Sequence, residues 1–203
     1  MPKVVDHDAR RRRLAEAVWT LTIRDGLAGV TLRKVAAEAG VSMGQVQHYY
    51  ASREDLVADA VARAVQAVNA RIEASVRNTA GTDGEPDAET ILRECLYAVL
   101  ARDEEGMRFL RLSVAVLGQA VSDPSMATVL RPGDDGLVTF TAGLIATARN
   151  DRGAAPRDDE RIAADICWTL ATGLGVDVAL GYRTPGNAQQ VLDHHIDGIL
   201  GRP

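Results

Sequence analysis

The chain has 203 residues, 46% of them apolar and 25% charged, and a formal net charge of −5. Enough apolar surface is present to bury a core, which excludes a disordered chain, and charge-free runs such as Gly136 to Ala148 fall short of the roughly 18 residues that suggest a bilayer-spanning helix. Cys95 and Cys167 form no CxxC pair and have no neighbouring His at metal-ligand spacing, so they read as buried thiols of a reducing, cytoplasmic compartment, with a disulfide between them as the alternative.

Charge is unevenly placed. Through Arg53 the chain holds nine Lys or Arg against five acids, a net +4, while the remainder carries −9. Such a split suits either a small polyanion-binding module joined to a larger acidic body or a solvated Arg-rich helix end. Leu14, Val18 and Leu21 recur at helical spacing with Ala17 and Trp19 alongside, predicting a first helix from about Ala9 to Asp25 that stops at Gly26. Its basic start imitates a leader segment, but Glu16 interrupts the apolar stretch, which predicts an amphipathic helix instead. Thr31 is placed to cap a second helix, on which Leu32, Val35, Ala36 and Ala39 keep the period until Gly40. Ser42 and Gln45 form an S-x-x-Q capping box for a third helix ending at Tyr50. Ser52 and Asp55 repeat the arrangement for a fourth helix, which runs unbroken from about residue 53 to 79.

Two short helices joined by "AGVS" make a helix-turn-helix, and a short second helix suits an element that projects into a groove. Polar Gln45, Gln47 and His48 are better explained as a reading surface than as contributors to stability. After the Gly- and Asp-rich loop Gly81 to Thr90, helical stretches are expected at about Ala88 to Ala101, Glu105 to Val121, Ser125 to Asn150, Asp158 to Tyr182 and Asn187 to Leu200. Pro132 and Gly133 within "RPGDD" should kink or break the third of these. No alternating run is long enough for a sheet, so the fold class is all-α.

The pattern "TLRKVAAEAGVSMGQVQHYYASREDL", preceded by a helix ending in "RDG", resembles the TetR family of transcriptional regulators over about Ala9 to Val57. A weaker likeness in "FLRLSVAVLGQAVSDPSM", an Asp-rich turn and a Gly-rich penultimate helix points to the BetI-like subgroup. The resemblance implies a helix-turn-helix DNA-binding domain over residues 1–53 and a helical ligand-binding and dimerisation domain over 54–203. It implies a homodimer on a palindromic double-stranded DNA operator, released by a small-molecule effector whose identity the sequence does not give. No cofactor, metal or membrane partner is implied. Thr31 matches a phosphate contact at a helix N-terminus, and Arg33 a position whose guanidinium fork suits guanine O6 and N7. Within the recognition helix, Ser42 to Tyr50, the candidates are Ser42, Met43, Gln45 and Gln47, with Val46 offered to a thymine methyl. His48, Tyr49 and Arg53 match phosphate-contacting positions. Arg10 to Arg13 either add backbone or minor-groove contacts or form a solvated face. Gln47 departs from a common Tyr, Tyr50 from a Phe and so needs a hydroxyl partner, and Thr22 from a core Phe, leaving space for Trp19 or Ile23.

In the body, apolar and aromatic positions at helical spacing are either effector walls or ordinary core: Tyr97, Met107, Phe109, Leu112 and Val116 earlier, and Phe140, Leu144, Trp168 and Thr172 later. Trp168 stands out because a buried indole N–H needs a partner. The last two helices are expected to form the dimer interface. Gly173, Gly175 and Ala179 would permit close backbone approach, and Val191, Leu192, His195, Ile196 and Ile199 would form an apolar stripe. Adjacent His194 and His195 cannot share a metal, and no GxSxG, P-loop or dinucleotide fingerprint is present, so an enzyme is not expected. The competing reading is a small-molecule-binding or scaffold protein that keeps the fold without sequence-specific DNA binding.

Overall fold

The computed structural model describes residues 7–79, 86–122, 136–153 and 157–201. All regular structure among them is helical: α1 (His7–Asp25), a 3₁₀ turn (Leu27–Gly29), α2 (Leu32–Glu38), α3 (Met43–Tyr49), α4 (Arg53–Thr79), α5 (Ala88–Tyr97), α6 (Glu104–Ser122), α7 (Gly136–Asp151), α8 (Glu160–Ala179) and α9 (Pro185–Ile199). The expected break at Arg131 to Asp135 lies outside the described residues. Contacts divide the chain into two compact units, changing over between Ala67 and Val68 within α4 and between Leu110 and Arg111 within α6. That division differs from a boundary at residue 53.

In the first unit α1 packs on α2 and on the 3₁₀ turn, and α2 on α3. The predicted stripe Leu14, Val18 and Leu21 is buried, joined by Val35, Ala36, Ala39, Val46, Leu56 and Val57. Gly26 (φ 74°) ends α1, and Gly40 (φ 62°) makes the turn between α2 and α3, both in the left-handed region that favours glycine. Of the two residues expected near Thr22, one turns outward and one inward. Ile23 is exposed, whereas Trp19 is half-buried and its indole N–H donates to the Ala60 carbonyl oxygen of α4 at 3.1 Å. Thr22 itself is buried, and its hydroxyl meets no hydrogen-bond partner among the described residues.

In the second unit α7 packs on α5 and α8, and α8 on α9. Leu92, Leu96, Ile145, Ala164, Cys167, Ala171, Leu192 and Ile196 lie in its core. α8 is long and apolar enough by composition to cross a bilayer, but its apolar side is used here, with Cys167, Ala171 and Leu174 buried. Arg149 is buried with its charge compensated: Nε–H donates to the Ile199 carbonyl oxygen at 2.8 Å, and one NH group reaches Asp159 at 2.6 Å and Glu160 at 3.1 Å. Several helix ends differ from the sequence reading. α5 stops at Tyr97, because a turn follows in which Ala101 takes φ 53°. Its start at Ala88 is the expected one, set by Asp87, which caps it by accepting the Thr90 N–H at 2.7 Å; that hydrogen bond also holds the Asp87 carboxyl below its usual range. α9 begins at Pro185 with Thr184 as its cap.

Candidate nucleic-acid interface

The recognition element is built by local capping. The Thr31 hydroxyl accepts the Lys34 N–H at 3.2 Å and starts α2. Both halves of the Ser42 box are formed: the Ser42 hydroxyl accepts the Gln45 N–H at 3.2 Å, and the Gln45 carbonyl oxygen accepts the Ser42 N–H at 3.4 Å. The same reciprocal arrangement joins Ser52 and Asp55 at the start of α4. Both helices of the motif are therefore seven residues long and fixed at their origins. Gln45 consequently spends its oxygen on the cap and leaves its NH₂ group to face outward.

On α3, Met43, Gln45, Gln47 and His48 are exposed, as are Ser42 before it, Thr31 at the cap of α2 and Arg33 on α2. Val46 is not among them. It is fully buried, 0% exposed, because it and Tyr50 face the small core beneath the motif, so its methyl groups cannot meet a thymine.

Arg53 has internal partners that the sequence reading did not foresee. Its Nε–H donates to the Val30 carbonyl oxygen and a terminal NH group to the Leu27 carbonyl oxygen, both at 2.8 Å. The remaining NH group lies 3.5 Å from Glu54. The guanidinium thus clamps the turn that leads into Thr31, and two of its three nitrogens already have internal acceptors.

Tyr50 finds the hydroxyl partner it needs in Asp59, to which it donates; burial foremost, and then that hydrogen bond, push its pKa upward. Asp59 also receives Arg63 at 3.0 Å, and Arg63 pairs with Asp8 of α1 at 2.9 Å. Tyr49 is half-buried. Its hydroxyl lies 2.9 Å from His7 Nδ1, and the Arg11 guanidinium sits 5.9 Å from its ring and 5.8 Å from that of Tyr50. His7 was not singled out in the sequence, because 42 residues separate it from Tyr49 and no periodicity links them.

Ion pairing sorts the basic residues of this unit. Arg12 pairs with Asp8, Arg24 with Asp25 and Glu38, and Lys34 with Asp25. The Arg24 hydrogen bond foremost lowers the Asp25 pKa. Arg10, Arg13 and Arg33 have no ion pair among the described residues.

In the second unit the Trp168 indole N–H donates to the Thr141 hydroxyl at 2.9 Å, and Thr141 donates to the Leu137 carbonyl oxygen at 2.8 Å. Tyr97 is buried, donates to Asp193 and carries the Arg102 guanidinium 4.6 Å from its ring. Burial foremost, with the Asp193 bond, pushes its pKa up to about 12. Met107, Phe109 and Leu144 are half-buried or buried, whereas Phe140 and Thr172 face outward in the protomer and wall no interior space. Leu112 and Val116 are buried but belong to the first unit. A cleft of about 300 Å³ between the distal part of α4 and α5, lined by Val68, Arg71, Ile72, Ser75, Glu94 and Arg102 among others, includes none of these nine positions.

The expected dimer residues divide as well. Leu192 and Ile196 are 0% exposed within one protomer, so they face its core instead of a partner. A Cβ on Gly175 would come 2.2 Å from the Val99 carbonyl oxygen, so this glycine serves a contact inside the chain. Gly173 is exposed with open space around it; Ala179, Val191, His195 and Ile199 are half-buried. Exposed Ile162, Ile166, Gly173 and Leu180 recur along α8 and just past its end at spacings of four and seven residues.

Comparison with known proteins adds to this geometry. The family model described as "Bacterial regulatory proteins, tetR family" matches residues 14–60, and that described as "BetI-type transcriptional repressor, C-terminal" matches residues 88–201. The HTH-type transcriptional regulator PksA of Bacillus subtilis (strain 168) is 28% identical over 201 residues, covering 98% of this chain and 94% of that protein. A transcriptional regulator from Rhodococcus sp. Rha1 superposes with a TM-score of 0.76 at 25% identity, covering 94% of this chain and 96% of the other. A Saccharomonospora viridis protein described as a transcriptional regulator, solved in complex with choline, shares the fold with a TM-score of 0.74 at 23% identity, covering 94% and 97%.

Proposed function

Since the chain belongs to the TetR family of bacterial regulatory proteins, a family of transcriptional regulators and not of enzymes, we propose that it is a repressor that binds a palindromic operator as a homodimer and leaves it when a small molecule binds. The observation that carries the DNA-binding part is the contrast between paired and unpaired cations. Arg24 and Lys34 are neutralised by neighbouring acids, while Arg10, Arg13 and Arg33 have no ion pair among the described residues and lie on the unit that presents the recognition helix. Unneutralised guanidinium groups beside a capped, outward-facing helix suit a phosphate backbone. Arg33 and Gln47 are the proposed base readers, Arg33 for a guanine and Gln47 for an adenine through its paired donor and acceptor. Thr31, Ser42, Gln45, His48 and Tyr49 are the proposed positioning contacts, and Met43 is the apolar group left to meet a thymine methyl.

The partner copy is proposed to cover the exposed seam Ile162, Ile166, Gly173 and Leu180, whose spacing suits helix-against-helix packing, in place of Leu192 and Ile196. The effector's chemistry is left to screening. Choline in the Saccharomonospora viridis neighbour makes quaternary ammonium compounds the first to try, but the ring of Tyr97 is already faced by Arg102.

Binding titrations on a selected operator and on a scrambled duplex test the reading. Arg33→Ala and Gln47→Ala should each reduce discrimination by about 1 to 3 kcal/mol, at different base positions. Unchanged base preference in both variants would refute the assignment.

A further inference from the structure

The cleft of about 300 Å³ beside distal α4 lies wholly within the second unit, and its walls differ in kind from the apolar and aromatic positions expected to hold an effector. Val68, Ile72 and Ala98 give it an apolar side, while Arg71 of α4 and Arg102 of the turn after α5 both reach it. We propose that this cleft seats a small organic acid, with Arg71 and Arg102 as contacts for its carboxylate and the apolar side against its body. The proposal rests on the reading of a regulator released by a small molecule, and it gives that molecule a chemical class and a seat.

Both arginines are held in place with donors to spare. Arg102 sits over the Tyr97 ring, 4.6 Å from its centroid, and one terminal nitrogen donates to Glu94 at 3.2 Å. Its other two nitrogens have no acceptor among the described residues. Arg71 donates to Asp103 through one terminal nitrogen at 2.5 Å, and its Nε lies 3.6 Å from Glu105. Its second terminal nitrogen has no acceptor among the described residues. Each side chain is 35% exposed, so a ligand reaches it without opening the core. A guanidinium steadied by a ring, with open N–H groups, suits the planar geometry of a carboxylate.

The acids in the wall do not shut the seat. Asp103 also accepts the Gly106 N–H at 2.7 Å, and Glu94 accepts the Ser75 hydroxyl at 2.6 Å. Each therefore keeps a donor when a ligand carboxylate takes a share of its arginine, and the exchange leaves no orphaned charge. A cation fits less well. No aromatic ring lines the cleft, so a quaternary ammonium group finds no face to rest on.

A carboxylate gripped by both arginines ties α4 to the turn after α5. Past Ala67 in the N-terminal direction, α4 belongs to the unit that carries the recognition helix. Two states that differ in the span from Arg71 to Arg102 therefore differ in affinity for the acid, which is what release requires.

The test titrates full-length protein, free of DNA, with butyrate, benzoate and 2-naphthoate, each against its neutral primary amide, and with choline. At least one carboxylate should bind where its amide does not. Arg71→Gln and Arg102→Gln should each weaken that binding by about tenfold or more, the loss of a charge-assisted contact, whereas Arg77→Gln, an exposed arginine of α4 outside the cleft, should bind as wild type. Glu94→Gln should tighten the carboxylate by about threefold, because a competing charge is gone; a seat for cations would be weakened by the same change. Ala98→Leu fills the apolar side and leaves both arginines in place, so it should block binding even if Arg102→Gln fails to fold. The carboxylate should then release wild-type protein from its operator duplex and leave the Arg71→Gln complex intact. Failure of all three carboxylates to bind, or a loss in Arg77→Gln equal to that in Arg71→Gln, overturns the seat. Binding that leaves the operator complex unchanged overturns the effector role of the cleft while the DNA-binding reading stands. Protein that binds no operator without any carboxylate present refutes that reading, and the titrations on free protein still decide the seat.

Discussion

Replacing Arg53 by alanine separates two ways in which a cation can serve DNA binding. The side chain donates to the carbonyl oxygens of Val30 and Leu27 at 2.8 Å each, and 24% of it is exposed. Hydrogen bonds from a charged donor contribute about 1.5 to 3 kcal/mol each. With water able to reach part of this guanidinium and replace some of the bonding, the pair is worth about 2 kcal/mol. Over a chain of this length that corresponds to a fall of roughly 4 to 8 °C in Tm. Operator affinity should drop because Thr31 and α2 lose the clamp on the turn before them, but the salt slope should remain that of the wild type, since no phosphate contact is deleted. Arg53→Lys should recover little, because an ammonium group cannot reproduce the fork that reaches two carbonyls. Thermal unfolding and fluorescence anisotropy at several salt concentrations measure both quantities. An unchanged Tm with a slope reduced by about 1.8, the value for two lost contacts per dimer, would show that Arg53 is a phosphate ligand and that the clamp contributes nothing.

Other substitutions test the core and the interface. Thr22→Val should stabilise the protein by about 1 kcal/mol, because it removes a buried hydroxyl that has no hydrogen-bond partner among the described residues; a lower Tm would contradict this. Ile196→Glu should abolish helical circular dichroism by burying a charge, whereas Ile166→Glu should keep the helical signal and yield monomers on sedimentation. Gly175→Ala should destabilise by roughly 1 to 3 kcal/mol through the clash with the Val99 carbonyl oxygen, despite alanine's better helix propensity. Burial foremost, then neighbouring His194, depresses the His195 pKa, so the stability it contributes is present above the unfolded value of about 6.5 and is lost as pH falls below it. Tm should decline less steeply between about pH 6.5 and 5 in His195→Gln than in the wild type.

The helix-turn-helix was legible because its signals are local. Caps at Thr31, Ser42 and Ser52, glycines at Gly26 and Gly40, and a 3.6-residue apolar period all act within a few residues. The misreadings arise where a side chain's role depends on distant partners. Val46 occupies a recognition-helix position but points inward, and the hydrogen bonds of Arg53 to Leu27 and Val30 give it a structural role that the sequence did not show. On α9 an apolar stripe was assigned to a partner copy, yet the same periodicity serves the protomer's own core, and Leu192 and Ile196 are spent there. Gly173 and Gly175 share composition and neighbourhood, but only Gly175 faces a carbonyl oxygen. His7 shows the reverse error: a residue without any sequence signal is brought to Tyr49 by the packing of α1.

Selection from a random duplex pool with the purified full-length protein, followed by titration of the enriched sequence at rising salt, tests the central claim most directly. An inverted repeat should emerge, bound by two protomers with a steep salt dependence and weakened in a base-specific manner by Arg33→Ala. Absence of any enriched sequence, with only weak binding that is the same on all duplexes, would contradict it and favour a ligand-binding or scaffold role for the fold.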